Sequence, residues 1–263
     1  MSKWRFTSTS VQGTSHIEAN IPCQDFSLCK LVANENGDDF LILVASDGAG
    51  SATYSDEGSR IVCECFLEKL TRYIEQGWSL DQTDEDVISR WLITLARYSA
   101  QKIQRAAKKR GVEKREFAAT LVLAIVGQKR SIFLQLGDGG IVINTSENYE
   151  LIFWPQSGEY ANMTYFVTDD SAIKNLQFKI VNQTINEIAL FTDGIQGLAL
   201  KYDTQSAYSP FFRPQFEYLR QISDLDLSLV KDQLAAFLNS KSVNDRTNDD
   251  KTLILACRLN DSI

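Results

Sequence analysis

AATLVLAIVGQKRSIFLQLGDGGIVINTSENYELIFWP, residues 118–155, holds four apolar runs separated by a few polar or glycine residues. The runs 118–126, 131–138, 140–145 and 149–155 are rich in Val, Ile, Leu and Phe, and their shortness favours strands over helices. The short turns between them predict consecutive antiparallel strands. Upstream, "DFSLCKLV" (25–32) and "DFLILVAS" (39–46) read as two more strands around "NENGDD". Between these clusters the apolar spacing turns helical. Ile61, Cys65, Phe66, Leu70 and Tyr73 mark a helix over Ser55–Ile74, with Asp56 and Glu57 in the first turn where acids suit the helix dipole. A second helix is predicted over Asp84–Lys109, with Val87, Trp91, Leu95 and Tyr98 on one side. Downstream, 156–184 reads as loop-rich, "EIALFTDG" (187–194) and "TLILACRL" (252–259) as strands, and the regions near Pro214–Ile222 and Ser228–Asn239 as helices. Two clusters of strands with helices between and after them predict a layered α+β fold, sheets face to face and helices outside.

The 263 residues suffice for a large core, and no Gly/Ser-rich linker or repeat divides them, so one domain over 1–263 is expected. A net charge of −7 argues against non-specific nucleic-acid binding, which needs a basic face. No run approaches the ~18–20 apolar residues of a membrane span, and the start "MSKWRFTSTS" lacks the apolar segment of a signal peptide. Five cysteines, with no Cys-x-x-Cys pair, suit reduced thiols in a cytoplasmic protein. The single histidine, His16, excludes two-His metal motifs and His-rich zinc sites. A Gly-x-x-x-x-Gly-Lys phosphate loop is absent, as is any cysteine with an arginine six positions on. An enzyme built on this chain must work with carboxylates.

Those carboxylates recur at strand ends: Asp25 in "CQDFS", Asp47 in "SDGAG", Asp138 in "LGDGG", Asp193 in "FTDGI", and Asp249 with Asp250 in "NDDKT". Any one Asp-Gly can simply terminate a strand, since Asp caps turns and Gly supplies positive φ. Converging acids, however, require a cation to offset their repulsion. Hard ions such as Mg²⁺ and Mn²⁺ prefer oxygen ligands, and two of them about 3.5–4 Å apart activate water for in-line attack at phosphorus. That chemistry needs neither histidine nor cysteine.

The ordered segments "VQGTSH…CQDFS", "LVASDGAGS", "AATLVLAIV", "LQLGDGG", "ALFTDG" and "NDDKTLILA" resemble the motifs of the metal-dependent protein phosphatase 2C family, particularly its bacterial branch. The resemblance runs from about residue 6 to 259. It implies a four-layer α-β-β-α sandwich of two antiparallel sheets flanked by helices, with the site at one edge. It also implies a phosphoserine/phosphothreonine phosphatase in which a metal-bridging hydroxide attacks the phosphate directly. The cofactors would be two Mn²⁺ or Mg²⁺ ions, with a third, weaker one. Position by position, Asp47 resembles the aspartate bridging both metals, with the Gly48 carbonyl on the first. Asp193 and Asp249 resemble ligands of the second, Asp249 being preferred to Asp250 because the family ligand comes first in Asp-[Asp/Asn]-x-Thr. Asp25 resembles the acid that holds metal-bound water, and Asp138 the acid linked to the third metal.

Two departures stand out. Where the family commonly has a phosphate-clamping arginine three residues after the early glycine, this chain has His16, with Arg5 as a further candidate for that role. Where "DGHG" members place a histidine beside the metals, it has Ala49. Both predict a slower enzyme. Residues 156–184 occupy the place of the family's variable flap, which would select the phosphoprotein; Tyr160, Tyr165 and Phe166 lie within it. The partners implied are a phosphorylated protein and a cognate Ser/Thr kinase, with neither nucleic acid nor membrane. The competing readings are a catalytically weak phosphoprotein sensor or scaffold of the same fold, and a hydrolase of small phosphorylated metabolites.

Overall fold

The computed structural model describes residues 3–81, 83–145, 148–158, 164–223 and 226–259. One five-stranded sheet runs in the order β2 (Phe26–Ala33), β3 (Asp39–Ser46), β4 (Leu121–Val126), β5 (Ser131–Leu136), β8 (Gln177–Val181). The other runs β1 (Lys3–Val11), β12 (Lys251–Leu259), β9 (Glu187–Phe191), β6 (Gly140–Asn144), β7 (Tyr149–Leu151). Every pairing in both sheets is antiparallel. Helices α2 (Ser55–Glu75) and α3 (Glu85–Arg110) cover the first sheet, and α6 (Ser209–Gln221) and α7 (Leu227–Leu238) the second. Shorter pieces connect them: α1 (Thr14–Ala19), α4 (Ala172–Asn175), α5 (Gln196–Ala199), the two-residue strands β10 (Leu200–Lys201) and β11 (Ser206–Ala207), and α8 (Lys241–Asn244).

The unbroken apolar run of β3 follows from burial on both faces. Leu41, Leu43 and Ala45 meet Ile141, Leu190 and Ile254 of the opposite sheet, whereas Ile42 and Val44 meet Val62, Phe66 and Leu70 of α2. A third apolar layer joins Phe191, Leu253 and Leu255 to Phe212, Phe216 and Leu234. Each such side chain contributes about 1.5–3 kcal/mol by leaving water. The result is the four-layer α-β-β-α sandwich. No helix among the described residues is long and apolar enough to cross a membrane.

Four expectations change. The chain from 131 to 145 does not form a hairpin: β5 and β6 belong to different sheets, and Gly137-Asp138-Gly139 carries the backbone across the sandwich edge. Gly137 makes that crossing at φ +107°, a conformation that disfavours a side chain. The buried stripe of α3 is Ile88, Leu92, Leu95, Ala96, Ser99, Ile103 and Ala107, while Val87 is 44% exposed. Trp91 and Tyr98 sit at its rim, where Trp91 stacks on Tyr73 of α2 at 4.4 Å and Tyr98 takes the Lys69 ammonium on its face. Large amphipathic rings settle at an edge and leave the stripe to aliphatic residues. The segment 156–184 contains α4 and the edge strand β8. Finally, α6 begins at Ser209 rather than Pro214, with Pro210 in the first turn, where a missing N–H costs little.

Candidate active site

The ends of β3, β9 and the 249–250 approach to β12 meet the 137–139 crossing at one edge of the sandwich. They enclose a cleft of about 430 Å³ lined by Asp47, Gly48, Asp138, Thr164, Asp193 and Asp249, among others. Carboxylate oxygens of Asp47, Asp138 and Asp193 all lie within 4.8 Å of one another.

Asp47 is fixed by Thr120, the residue before β4. The Asp47 N–H donates to Thr120 Oγ1 at 2.9 Å, and the Thr120 N–H donates to the Asp47 carbonyl at 2.8 Å. The Gly48 N–H donates to the Gln24 carbonyl at 3.1 Å, which ties this turn to the residue before Asp25. Asp193 starts a tight turn directly after β9. A Cβ on Gly194 would stand 1.8 Å from the Asp250 carbonyl oxygen, so glycine is what lets these segments pass. Asp138 is held by its backbone: the Gly137 N–H donates to Gln156 Oε1 at 2.7 Å, and the Gln196 amide donates to the Asp138 carbonyl. Tyr202 in turn donates to Gln196 Oε1 at 2.8 Å. Gln156, Gln196 and Tyr202 had no local sequence signal.

Asp25 lies behind the cleft, 4% exposed. Its Oδ2 accepts hydroxyl bonds from Thr192 (2.7 Å) and Thr252 (2.8 Å), while its Oδ1 is buried with no protein partner among the described residues. Asp249 and Asp250 part company. Asp249 faces the cleft, and its Oδ1 accepts the Asp250 N–H at 2.8 Å. Asp250 is 2% exposed and points inward, accepting the Gly13 N–H on Oδ1 and the Gln24 N–H on Oδ2, both at 2.6 Å.

His16 was the candidate phosphate clamp, but it does not line the cleft. It sits in α1 with Nδ1 2.9 Å from Asp250 Oδ2, because the extra residues between Gly13 and Asp25 fold into a helical turn over that carboxylate. Arg5 does not reach the cleft either. It lies six residues up β1 from Val11, about 20 Å at strand rise, and its guanidinium donates to the Arg220 carbonyl. No lysine, arginine or histidine lines the cleft among the described residues. Of the flap residues, Phe166 lines the cleft and packs on Ala49, Ala52 and Ala118, while Tyr165 joins the helical-layer core. Tyr160 lies outside the described residues.

Unbalanced negative charge is the site's main electrostatic property. Burial, aided by Asp250 and opposed by the Thr192 and Thr252 hydrogen bonds, pushes Asp25 up to about 7. Burial and Asp249 push Asp138 to about 6. Burial, with Asp193, Asp25 and Asp138, holds Asp47 well above the carboxylate range, and burial with Asp138, Asp249 and Asp25 does the same to Asp193. Asp138 also keeps one buried oxygen, Oδ1, without a partner among the described residues. The converging oxygens of Asp47, Asp138 and Asp193, with no cationic side chain in the lining among the described residues, fit a site for a divalent metal ion.

A pH dependence follows. In the unfolded chain these carboxylates titrate near 3.8, whereas folded Asp138 and Asp25 titrate near 6 and 7. The folded state binds protons more tightly, so the stability they confer is complete below about pH 4 and lost as pH rises through 6 and 7. Thermal melts in EDTA are expected to show a falling melting temperature from pH 5 to 8, a slope that saturating Mn²⁺ removes. A flat or rising profile in EDTA would contradict this electrostatic picture.

Comparison with known proteins bears on the family and the fold. A family model described as protein phosphatase 2C matches residues 12–239. Serine/threonine-protein phosphatase 3 of Escherichia coli strain K12 is 34% identical over 253 residues, which span 96% of this chain and 98% of that one. A solved bacterial serine phosphatase superposes with a TM-score of 0.63 at 16% identity, covering 99% of this chain and 100% of the other. The serine/threonine phosphatase Stp1 of Staphylococcus aureus gives 0.62 at 16% identity, covering 99% and 96%. At such identities these two structures speak for the fold alone.

Proposed function

Because the chain belongs to the protein phosphatase 2C family, we propose that its cleft removes phosphate from phosphoserine and phosphothreonine in proteins, with Mn²⁺ or Mg²⁺ held by the acid cluster. The observation that carries this reading is the convergence of Asp47, Asp138 and Asp193 from three separate strand ends onto one point. In this reading Asp47, the Gly48 carbonyl, Asp193 and Asp249 hold two ions, and Asp138 serves a third. When bound, such ions supply Lewis acidity and an activated water for in-line attack at phosphorus.

The protein's own contribution is positional. Thr192 and Thr252 occupy Oδ2 of Asp25 and leave Oδ1 to orient the attacking water and take up its proton. Phe166, packed on Ala49 and Ala118, forms an apolar wall that restricts bulk water on one side. With Ala49 beside Gly48, no imidazole stands ready to protonate the leaving alcohol. With no cationic side chain in the lining among the described residues, the substrate phosphate gains little from side chains, which predicts a high KM and slow turnover. We read 1–263 as one phosphatase domain, supported by the near-complete span of the relative. Five free cysteines suit a reducing, cytoplasmic setting, and a cognate Ser/Thr kinase would generate the substrate.

The test is phosphate release from a phosphothreonine peptide and from p-nitrophenyl phosphate, with Mn²⁺ and with EDTA. Mn²⁺-dependent release, faster on the peptide, is the expected result. Absence of release by folded, Mn²⁺-binding protein would favour the sensor reading that the cation-free lining motivates. Preference for small esters would instead favour a metabolite hydrolase.

A further inference from the structure

A second cavity, of about 410 Å³, opens between α3 and the α4 segment, within the size range of ligand sites. Three chain segments tie it to the cleft. Leu121 of its lining directly follows Thr120, which fixes Asp47. Leu136 stands two residues before Asp138, and Val167 directly follows Phe166 of the cleft wall. The Val167 N–H donates to the Ala119 carbonyl at 2.8 Å, which joins two of these segments. The floor is apolar, with Leu121, Leu136, Val167 and Ala172 all buried.

The rim differs in charge from side to side. On the α4 side both acids are engaged: Asp169 Oδ2 accepts the Phe166 N–H at 2.8 Å, and Asp170 pairs with Lys114 at 2.6 Å. On the α3 side Arg97 is exposed and has no partner among the described residues. It begins a file. Arg97, Gln101, Arg105 and Lys108 recur at helical spacing, so they share one face, and all four are exposed. None of the three cations is paired among the described residues, whereas Lys102 and Arg110 beside them pair with Glu68 and Glu57 of α2. After Asp86, α3 carries no acid, although the net charge of the chain is −7.

We propose that this recess and the Arg97–Lys108 face form a docking groove for an acidic segment of the phosphoprotein substrate, anchored by apolar side chains and lying outside the phosphorylated residue. The inference rests on reading the cleft as a protein phosphatase site. The face spans about 17 Å at helix rise, the length of about five extended residues. A small ligand would fill the recess and leave Arg105 and Lys108 unmatched. A nucleic-acid strand would match the cations but has no aliphatic group for the recess. An acidic peptide with one or two large apolar side chains satisfies both. The groove also supplies what the cleft lacks. No cation lines the cleft among the described residues, so a basic face beside it draws in the acidic chain and lends the affinity.

Two experiments on the full chain test this. In the first, random peptides of about 12 residues, long enough to overrun the face at both ends, are displayed and selected on wild type in EDTA. Counter-selection uses Ala100→Trp, which fills the recess. Enriched sequences are expected to carry one or two large apolar residues beside Asp or Glu. Arg97→Glu, a surface change, is expected to bind them at least about tenfold more weakly, because the reversed charge opposes the ligand. No enrichment, enrichment of basic sequences, or equal binding by Arg97→Glu would overturn the proposal whether or not Ala100→Trp folds. Single-stranded DNA bound by Ala100→Trp but not by Arg97→Glu would overturn it in favour of nucleic acid.

In the second, an enriched sequence is joined by a short Gly/Ser linker to a phosphothreonine peptide. Its KM with Mn²⁺ is expected to fall about tenfold with kcat unchanged, since docking raises the local concentration. Arg97→Glu should lose that gain while keeping wild-type turnover of p-nitrophenyl phosphate. An unchanged KM would overturn the substrate role. Absence of phosphate release from every substrate, with the selected peptide still bound in EDTA, would instead overturn the phosphatase reading and leave the groove as a binding face.

Discussion

Asp193→Ala is expected to lower Mn²⁺-dependent phosphate release by roughly 10²–10³-fold, the usual scale for losing one electrostatic element of a site, and to raise the melting temperature in EDTA. The two effects share a cause. Asp193 stands where the fields of Asp138, Asp249 and Asp25 overlap, and they hold its carboxyl well above the ordinary range, after burial itself. Removing it deletes an oxygen from the set that closes to within 4.8 Å, so ions bind less well. The same deletion removes a repulsive charge from the ion-free protein. Asp193→Asn should repeat the pattern while preserving the side chain's shape. A purely structural aspartate would show neither sign: its loss would lower the melting temperature and leave ion dependence intact. Activity within threefold of wild type would remove Asp193 from the proposed machinery.

Much of the sandwich was legible because its central strands are buried on both faces. β3, β4 and β12 read as unbroken apolar runs, and a run of that length between turn residues leaves little choice but a strand. β1 was not legible: Lys3–Val11 is apolar only at Trp4, Phe6 and Val11, with four hydroxyl residues in a row at 7–10, and its partner Lys251–Leu259 lies at the far end of the chain. β8 was missed because a short edge strand carrying Gln177 and an exposed Lys179 resembles loop composition. The switch at Gly137–Gly139 was hidden for another reason: a hairpin turn and a sheet-crossing turn are written with the same residues. In the site, the acids announced themselves through Asp-Gly at apolar strand ends. Their supports did so only faintly, although Thr192 directly precedes Asp193 and Thr252 follows Lys251, so that two hydroxyls at two strand ends mark where Asp25 docks. His16 was misplaced because spacing from Gly13 gives sequence distance, not direction.

The adjacent aspartates 249 and 250 offer a sharp contrast. Asp250→Ala is expected to destabilise the protein by about 3–5 kcal/mol, since it leaves buried donors without their acceptor. Two backbone N–H groups, those of Gly13 and Gln24, each donate to this carboxylate at 2.6 Å, and His16 Nδ1 stands 2.9 Å from it. Through them one side chain joins the end of β1, the turn of α1 and the residue before Asp25 to the start of β12. Its loss should displace Asp25 as well, so activity falls even where the protein remains folded. Asp249→Ala, one residue away, removes an exposed carboxylate with a single backbone bond. It should leave stability in EDTA equal or slightly higher and weaken Mn²⁺ binding. Urea denaturation in EDTA, paired with Mn²⁺ titration, reads both variants on both axes. An Asp250→Ala protein within about 1 kcal/mol of wild type, a small change by the usual scale of buried polar losses, would mean that water satisfies those donors. The buried hub would then give way to a solvated one, and the rigid placement of Asp25 would need another source.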